Sequence, residues 1–118
     1  MNYLVTLIVD NPDDCPAILD RWHDLGVPGV TILESSGLGR QRRAGLRDDL
    51  PLIPSLQDFF DVREEPHRTL LSVVDSQDLV DRMVAAAQAV IGDLDEPHTG
   101  FLFVSPVLQA FGLGRAKK

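Results

Sequence analysis

Twice in this chain a compact apolar run gives way to a helical period and then to a second apolar run. That duplication limits the fold more than any other feature. Tyr3 to Val9, with Val5, Thr6, Ile8 and Val9, has the β-branched character of a buried strand. Asn11-Pro12-Asp13-Asp14 follows, supplying a capping residue, a proline suited to a first helical turn, and acids that complement the helix dipole. Pro16 moves the expected cap to Asp13 or Asp14, because a proline deeper in the helix would remove a hydrogen bond. Ile18, Trp22 and Leu25 then recur as one apolar stripe, and Gly26 stands where a helix C-terminal glycine belongs. Val30, Ile32 and Leu33 make a second strand that runs into a glycine–arginine corner, where the missing Cβ atoms would let backbone N–H groups approach a ligand.

The second half repeats the order. Arg68 to Asp75 reads as a strand through Leu70, Leu71, Val73 and Val74, with Ser76 as cap of the next helix. Leu79, Val80, Met83, Val84, Ala87, Val90 and Ile91 keep helical spacing up to Gly92, and Phe101 to Val104 is a fourth strand leading into Ser105-Pro106. Between the halves lies Arg42 to Pro66, rich in charge and proline and without a clean period. The fold class expected is α+β: a ferredoxin-like βαββαβ two-layer sandwich. Its four-stranded sheet is antiparallel, with two helices on one face and a long loop between strands 2 and 3. Residues 1–118 suit a single domain, with an insertion at about 41–67 and a loose tail at about 112–118.

Two helices cover only one face of such a sheet. In the first strand Val5, Leu7 and Val9 alternate with Leu4, Thr6 and Ile8, so both faces carry apolar groups. A strand of that kind should be covered on both sides. The second cover is expected from another copy of the chain.

Charge and composition exclude several functions. The net charge of −7 argues against a nucleic-acid partner, whose binding rests on a positive face. No apolar run approaches the roughly 18 residues of a membrane span, and Leu4 to Val9 lacks the basic start of a leader, so the expectation is a cytoplasmic protein without membrane insertion. Cys15 is the sole cysteine, and His23, His67 and His98 show no ligand spacing, so no metal is expected. Ser35-Ser36, Ser72 and Ser105 lack a nucleophile-elbow context, and Asp48-Asp49, Asp61 and Glu64-Glu65 read as solvated loop acids. No catalytic residue is assigned.

The bases are unevenly spread. Arg40, Arg42, Arg43 and Arg47 cluster in one stretch, and Arg115, Lys117 and Lys118 form a basic tail. The cluster suits either a solvated loop or recognition of a small anion or an acidic partner surface. Leu50 to Phe60 reads as a short helix packed on the body through Ile53, Leu56 and Phe60, with a partner-binding patch as the other reading.

Gly37-Leu38-Gly39-Arg40-Gln41 and Phe103-Val104-Ser105-Pro106-Val107, at this separation, resemble two motifs of the nitrogen regulatory protein P-II family. Gly92-Asp93 is similar to part of that family's B-loop. The resemblance implies a homotrimeric signalling protein with its sheets facing inward. It also implies an intersubunit cleft for an adenine nucleotide (ADP, AMP or ATP), with Thr31 near the base. Gly37, Leu38, Gly39, Arg40 and Gln41 would line that cleft, and Gly100 would come from the adjacent subunit. Residues 42–66 would form a T-loop that acts on a protein target, with Arg42, Arg43 and Arg47 as its binding residues. Three departures stand out. Phe101 replaces the lysine that follows the B-loop glycine in ATP-binding members, a contact worth on the order of 1.5–3 kcal/mol. The basic residues expected after the last helix are missing unless the tail supplies them, and no loop tyrosine is available for modification, Tyr3 being the only one. A ligand-independent interaction module on the same scaffold is the alternative.

Overall fold

The computed structural model describes residues 1–38, 64–97 and 99–113. Its elements follow the expected order: β1 (Asn2–Val9), a 3-10 turn (Pro12–Asp14), α1 (Cys15–Leu25), β2 (Thr31–Leu38), β3 (Glu64–Val74), α2 (Gln77–Ile91) and β4 (Gly100–Val107). The four strands form one antiparallel sheet in the order β2-β3-β1-β4. This is the ferredoxin-like sandwich, in which each helix links two strands that are not neighbours.

Local chemistry accounts for the element ends. Asn11 caps the 3-10 turn by accepting the Asp13 N–H at 3.0 Å. Asp14 then holds the N-cap position of α1, but its side chain makes no capping bond. At the other end of α1, Gly26 adopts φ +92°, its N–H bonds the His23 carbonyl and Val27 N–H bonds the Trp22 carbonyl. That pair of bonds is a Schellman close, and it needs the left-handed conformation glycine tolerates. Ser76 caps α2 by accepting Leu79 N–H at 3.0 Å, and Gly92 ends that helix with φ +93°.

One face of the sheet carries the core. Val5, Leu7 and Val9 of β1 and Leu70 and Val74 of β3 are buried against Ile18 and Trp22 of α1 and Val80, Met83 and Ala87 of α2. Burying each of the valine, leucine, isoleucine and methionine side chains contributes about 1.5–3 kcal/mol. Trp22 fastens the two helices as well: its indole N–H donates to the Met83 carbonyl at 3.0 Å. Ser72 donates to the Gly29 carbonyl at 2.6 Å, holding the segment before β2 against β3.

Among the described residues no helix lies on the opposite face. The ladder registers put Thr31 and Leu33 of β2, Thr69, Leu71 and Val73 of β3, Leu4, Thr6 and Ile8 of β1, and Phe101 and Phe103 of β4 on it. Leu33 is 49% exposed, Phe101 59% and Phe103 43%.

The strands run further than hydropathy implies. Gly37 and Leu38 are not a corner after the strand but its last two residues, paired with Glu65 and Glu64. β3 accordingly starts at Glu64 rather than Arg68, and Glu64-Glu65 belong to the sheet rather than to a loop. Pro66 is tolerated there because β1 pairs with β3 only as far as Arg68, so among the described residues one edge of β3 has no partner strand beyond it. Pro106 lies inside β4, which is an edge strand.

Candidate functional site at the β2–β3 ribbon

Beyond Arg68, β2 and β3 continue as a two-stranded ribbon, Ser35 opposite His67, Ser36 opposite Pro66 and Gly37 opposite Glu65. Alternation along the strands gives the ribbon two faces with different chemistry.

On the face turned away from the helices, Ser35 Oγ lies 2.9 Å from His67 Nδ1 and 2.8 Å from Thr69 Oγ1. His67 in turn covers Gly37. A Cβ placed on Gly37 would stand 2.6 Å from His67 Nε2. A side chain at position 37 would therefore oblige the imidazole packed over it to shift. A serine beside an imidazole suggests a nucleophile and its base, yet a catalytic pair also needs a third group that orients the base. Here Thr69 bonds the serine instead, and the far ring nitrogen faces Gly37. The arrangement is a polar staple between the two arms of the ribbon.

The other face forms an open cleft of about 430 Å³, lined in part by Pro12, Glu34, Ser36, Pro66 and Arg68. Arg68 and Glu34 approach to 3.9 Å, and the Glu34 side chain is 86% exposed. A pair that long and that solvated contributes little. Arg68 also acts on Cys15: burial pushes that thiol above its ordinary pKa, and the Arg68 charge opposes the rise.

The residues singled out by sequence are spread over the sheet. Thr31 opens β2 and lies in a cross-strand row with Leu71, Thr6 and Phe103. Gly37 is six positions along the same strand, roughly 20 Å away at the strand rise. Gly100 opens β4 in the row of Val9, Arg68 and Glu34, so three strand spacings, about 14 Å, separate it from β2. Gly100 has a structural reason of its own. At φ +155° its missing Cβ would meet the Ile8 carbonyl oxygen at 2.5 Å. Leu38 ends β2. Gly39, Arg40, Gln41, Arg42, Arg43 and Arg47 lie outside the described residues, as do Leu50 to Phe60 and the basic tail. Phe101 is exposed beside Phe103, ring centroids 5.6 Å apart.

Sequence reasoning missed Ser35 and His67 as partners. Period-2 alternation could have put Ser35 on the face of Leu33, but the long intervening segment conceals which β3 residue stands opposite.

Among the described residues no helix is long and apolar enough to cross a membrane. No curated protein matches the chain in sequence. The family model for nitrogen regulatory protein P-II matches residues 3–117, which include every strand but the first residue of β1 and both helices. With the ferredoxin-like sheet, the Gly37 strand end and the Phe103 to Val107 strand all inside that match, the chain belongs to the nitrogen regulatory protein P-II family, a family of regulatory signalling proteins.

Proposed function

We propose that this chain is a single-domain, homotrimeric regulator that binds a small anionic ligand in clefts between copies and acts on a partner protein through residues 42–66. The observation that carries the reading is the separation of Thr31, Gly37 and Gly100 across one sheet. Residues so far apart in one chain can line a common cleft only if a neighbouring copy supplies part of it. The uncovered face with Leu33, Phe101 and Phe103 gives a copy an apolar surface to pack on. Arg40 and its neighbours supply charge suited to a phosphate. Ligand control of the partner then requires loop conformations that differ in their contacts with the ligand.

Light scattering on the purified chain, followed by calorimetric titration with ADP, AMP and ATP, tests this reading. A trimer that binds at least one nucleotide, with the heat lost in Arg40→Ala, is expected. A monomer, or a trimer that gives no heat with any of the three, counts against it.

Phe101 favours a second reading, a scaffold that engages its partner without a ligand. A phenylalanine cannot neutralise a triphosphate. Under that reading a partner captured by the chain is lost on deleting residues 42–66 and is indifferent to nucleotide.

A further inference from the structure

Glu34 of β2 and Arg68 of β3 stand directly opposite each other, on the face of the ribbon that the helices share. The ladder fixes both backbones, so an acid and a base are held side by side on paired strands. Their side-chain ends lie 3.9 Å apart, close enough to attract but too long for a hydrogen bond. The guanidinium donors and the carboxylate oxygens are therefore not bonded to each other. Both side chains reach solvent, so the pair adds little to the fold and parts at little cost.

The cleft around them, about 430 Å³, is of the size of small-molecule sites. Pro12, from the turn before α1, and Pro66 of β3 give it two stiff apolar walls, and Ser36 adds a hydroxyl. One acid beside one base decides the charge of the occupant. A net anion gains at Arg68 and loses at Glu34, and a net cation does the reverse. A molecule that carries both charges satisfies both side chains.

We propose that this cleft binds a free α-amino acid with an aliphatic side chain, its carboxylate on Arg68 and its ammonium on Glu34. Such a molecule carries its two charges one carbon apart. It can therefore lie antiparallel to the protein's own pair, with each charge beside its opposite. The planar fork of Arg68 suits a carboxylate, which it meets through two parallel N–H groups. The Glu34 carboxylate accepts from the ammonium, and the Ser36 hydroxyl can donate to one group or accept from the other. The aliphatic side chain then packs on the prolines. All these residues belong to one chain, so the site needs no second copy and is separate from the clefts proposed above.

Titration of the full chain with L-leucine, followed by amide nuclear magnetic resonance, tests the proposal. Saturable shifts should centre on Glu34, Ser36 and Arg68. Isocaproate, which lacks the ammonium, and isoamylamine, which lacks the carboxylate, should each bind about tenfold more weakly or worse. Arg68→Gln and Glu34→Gln should each weaken L-leucine by a similar factor, with far-ultraviolet circular dichroism unchanged. Should either variant unfold, the two single-charge analogues on the wild type decide the matter. Shifts that do not saturate, shifts centred elsewhere, or equal affinity for L-leucine and either analogue overturn the proposal. Nucleotide titrations bear on the reading above and leave this one untouched.

Discussion

His67 lies over Gly37 so closely that its Nε2 would be 2.6 Å from any Cβ placed there, while its Nδ1 meets Ser35 Oγ at 2.9 Å. One imidazole thus packs over Gly37 and links the two strands that lead into residues 39–63. Gly37→Ala should push the ring aside and break the Ser35 contact, at a cost of about 1–2 kcal/mol. The clash is with a side chain, so His67→Ala should make Gly37→Ala nearly neutral. A double-mutant cycle from urea unfolding measures that coupling directly. Additive effects of the two substitutions would show that the ring is not the obstacle.

Gly100 makes the contrasting case. Its Cβ would meet the Ile8 carbonyl oxygen at 2.5 Å, and φ is +155°. Backbone cannot swing away as a ring can, and the conformation itself is strained for any residue with a side chain. Gly100→Ala should therefore cost about 3 kcal/mol or more, with no single side-chain substitution able to relieve it. Thermal unfolding of Gly100→Ala against Gly37→Ala checks the ranking.

The fold was legible in the sequence because each half signals its own elements. The Ile18–Trp22 stripe, Gly26 and Ser76 all stand where periodicity and capping chemistry put them. Strand ends were less legible. Ser35-Ser36-Gly37 carries no strand propensity, and only pairing with Pro66 and His67 makes it a strand. Tertiary pairing, not local preference, sets that boundary. Gly37 stood out as a corner glycine and Gly100 through the family resemblance; within the chain, a Cβ at Gly37 would meet the His67 ring and one at Gly100 the Ile8 carbonyl. Arg40 and the other loop arginines were visible as charge, but charge in a sequence does not specify what it faces.

The bond from Trp22 to the Met83 carbonyl joins α1 to α2 across the buried core. Trp22→Phe keeps much of the apolar ring and removes the donor, so the Met83 carbonyl loses its second hydrogen bond and keeps the one it accepts within α2. The expected loss is about 0.5–1.5 kcal/mol for the bond, plus the cavity left by the smaller ring. Urea unfolding should report it as a lower midpoint at unchanged slope. An unchanged midpoint would mean that water takes over the carbonyl.

Cys15 is 2% exposed, and burial raises its pKa above the ordinary 9.0. The folded chain then holds the thiol proton more firmly than the unfolded chain does. Stability from this group is present in full below pH 9.0 and is lost as the pH climbs through the folded value. Cys15→Ala should therefore flatten the alkaline fall in melting temperature while lowering the neutral-pH value, since it also opens a small cavity. A thiol reagent should label the native chain slowly and the urea-unfolded chain at once. Fast labelling of the native chain would contradict the burial.

Phe101 offers the sharpest test of ligand choice. It stands near the start of β4, directly after Gly100, and its own side chain carries no charge to meet phosphate. Phe101→Lys adds one cation at a position exposed in the single chain, so the subunit fold should tolerate it. Because Phe101 also lies on the face offered to another copy, light scattering on the variant must first show the same assembly as the wild type. If an adenine nucleotide occupies a cleft that includes this strand end, the new charge-assisted contact should tighten ATP binding by about tenfold or more. The gain should shrink from ATP to ADP to AMP, because each step removes phosphate charge near the new ammonium group. Calorimetric titration of both chains with all three nucleotides reads the trend. An equal gain for all three would point to general attraction by net charge, and no gain for any would place the strand end outside the ligand's reach.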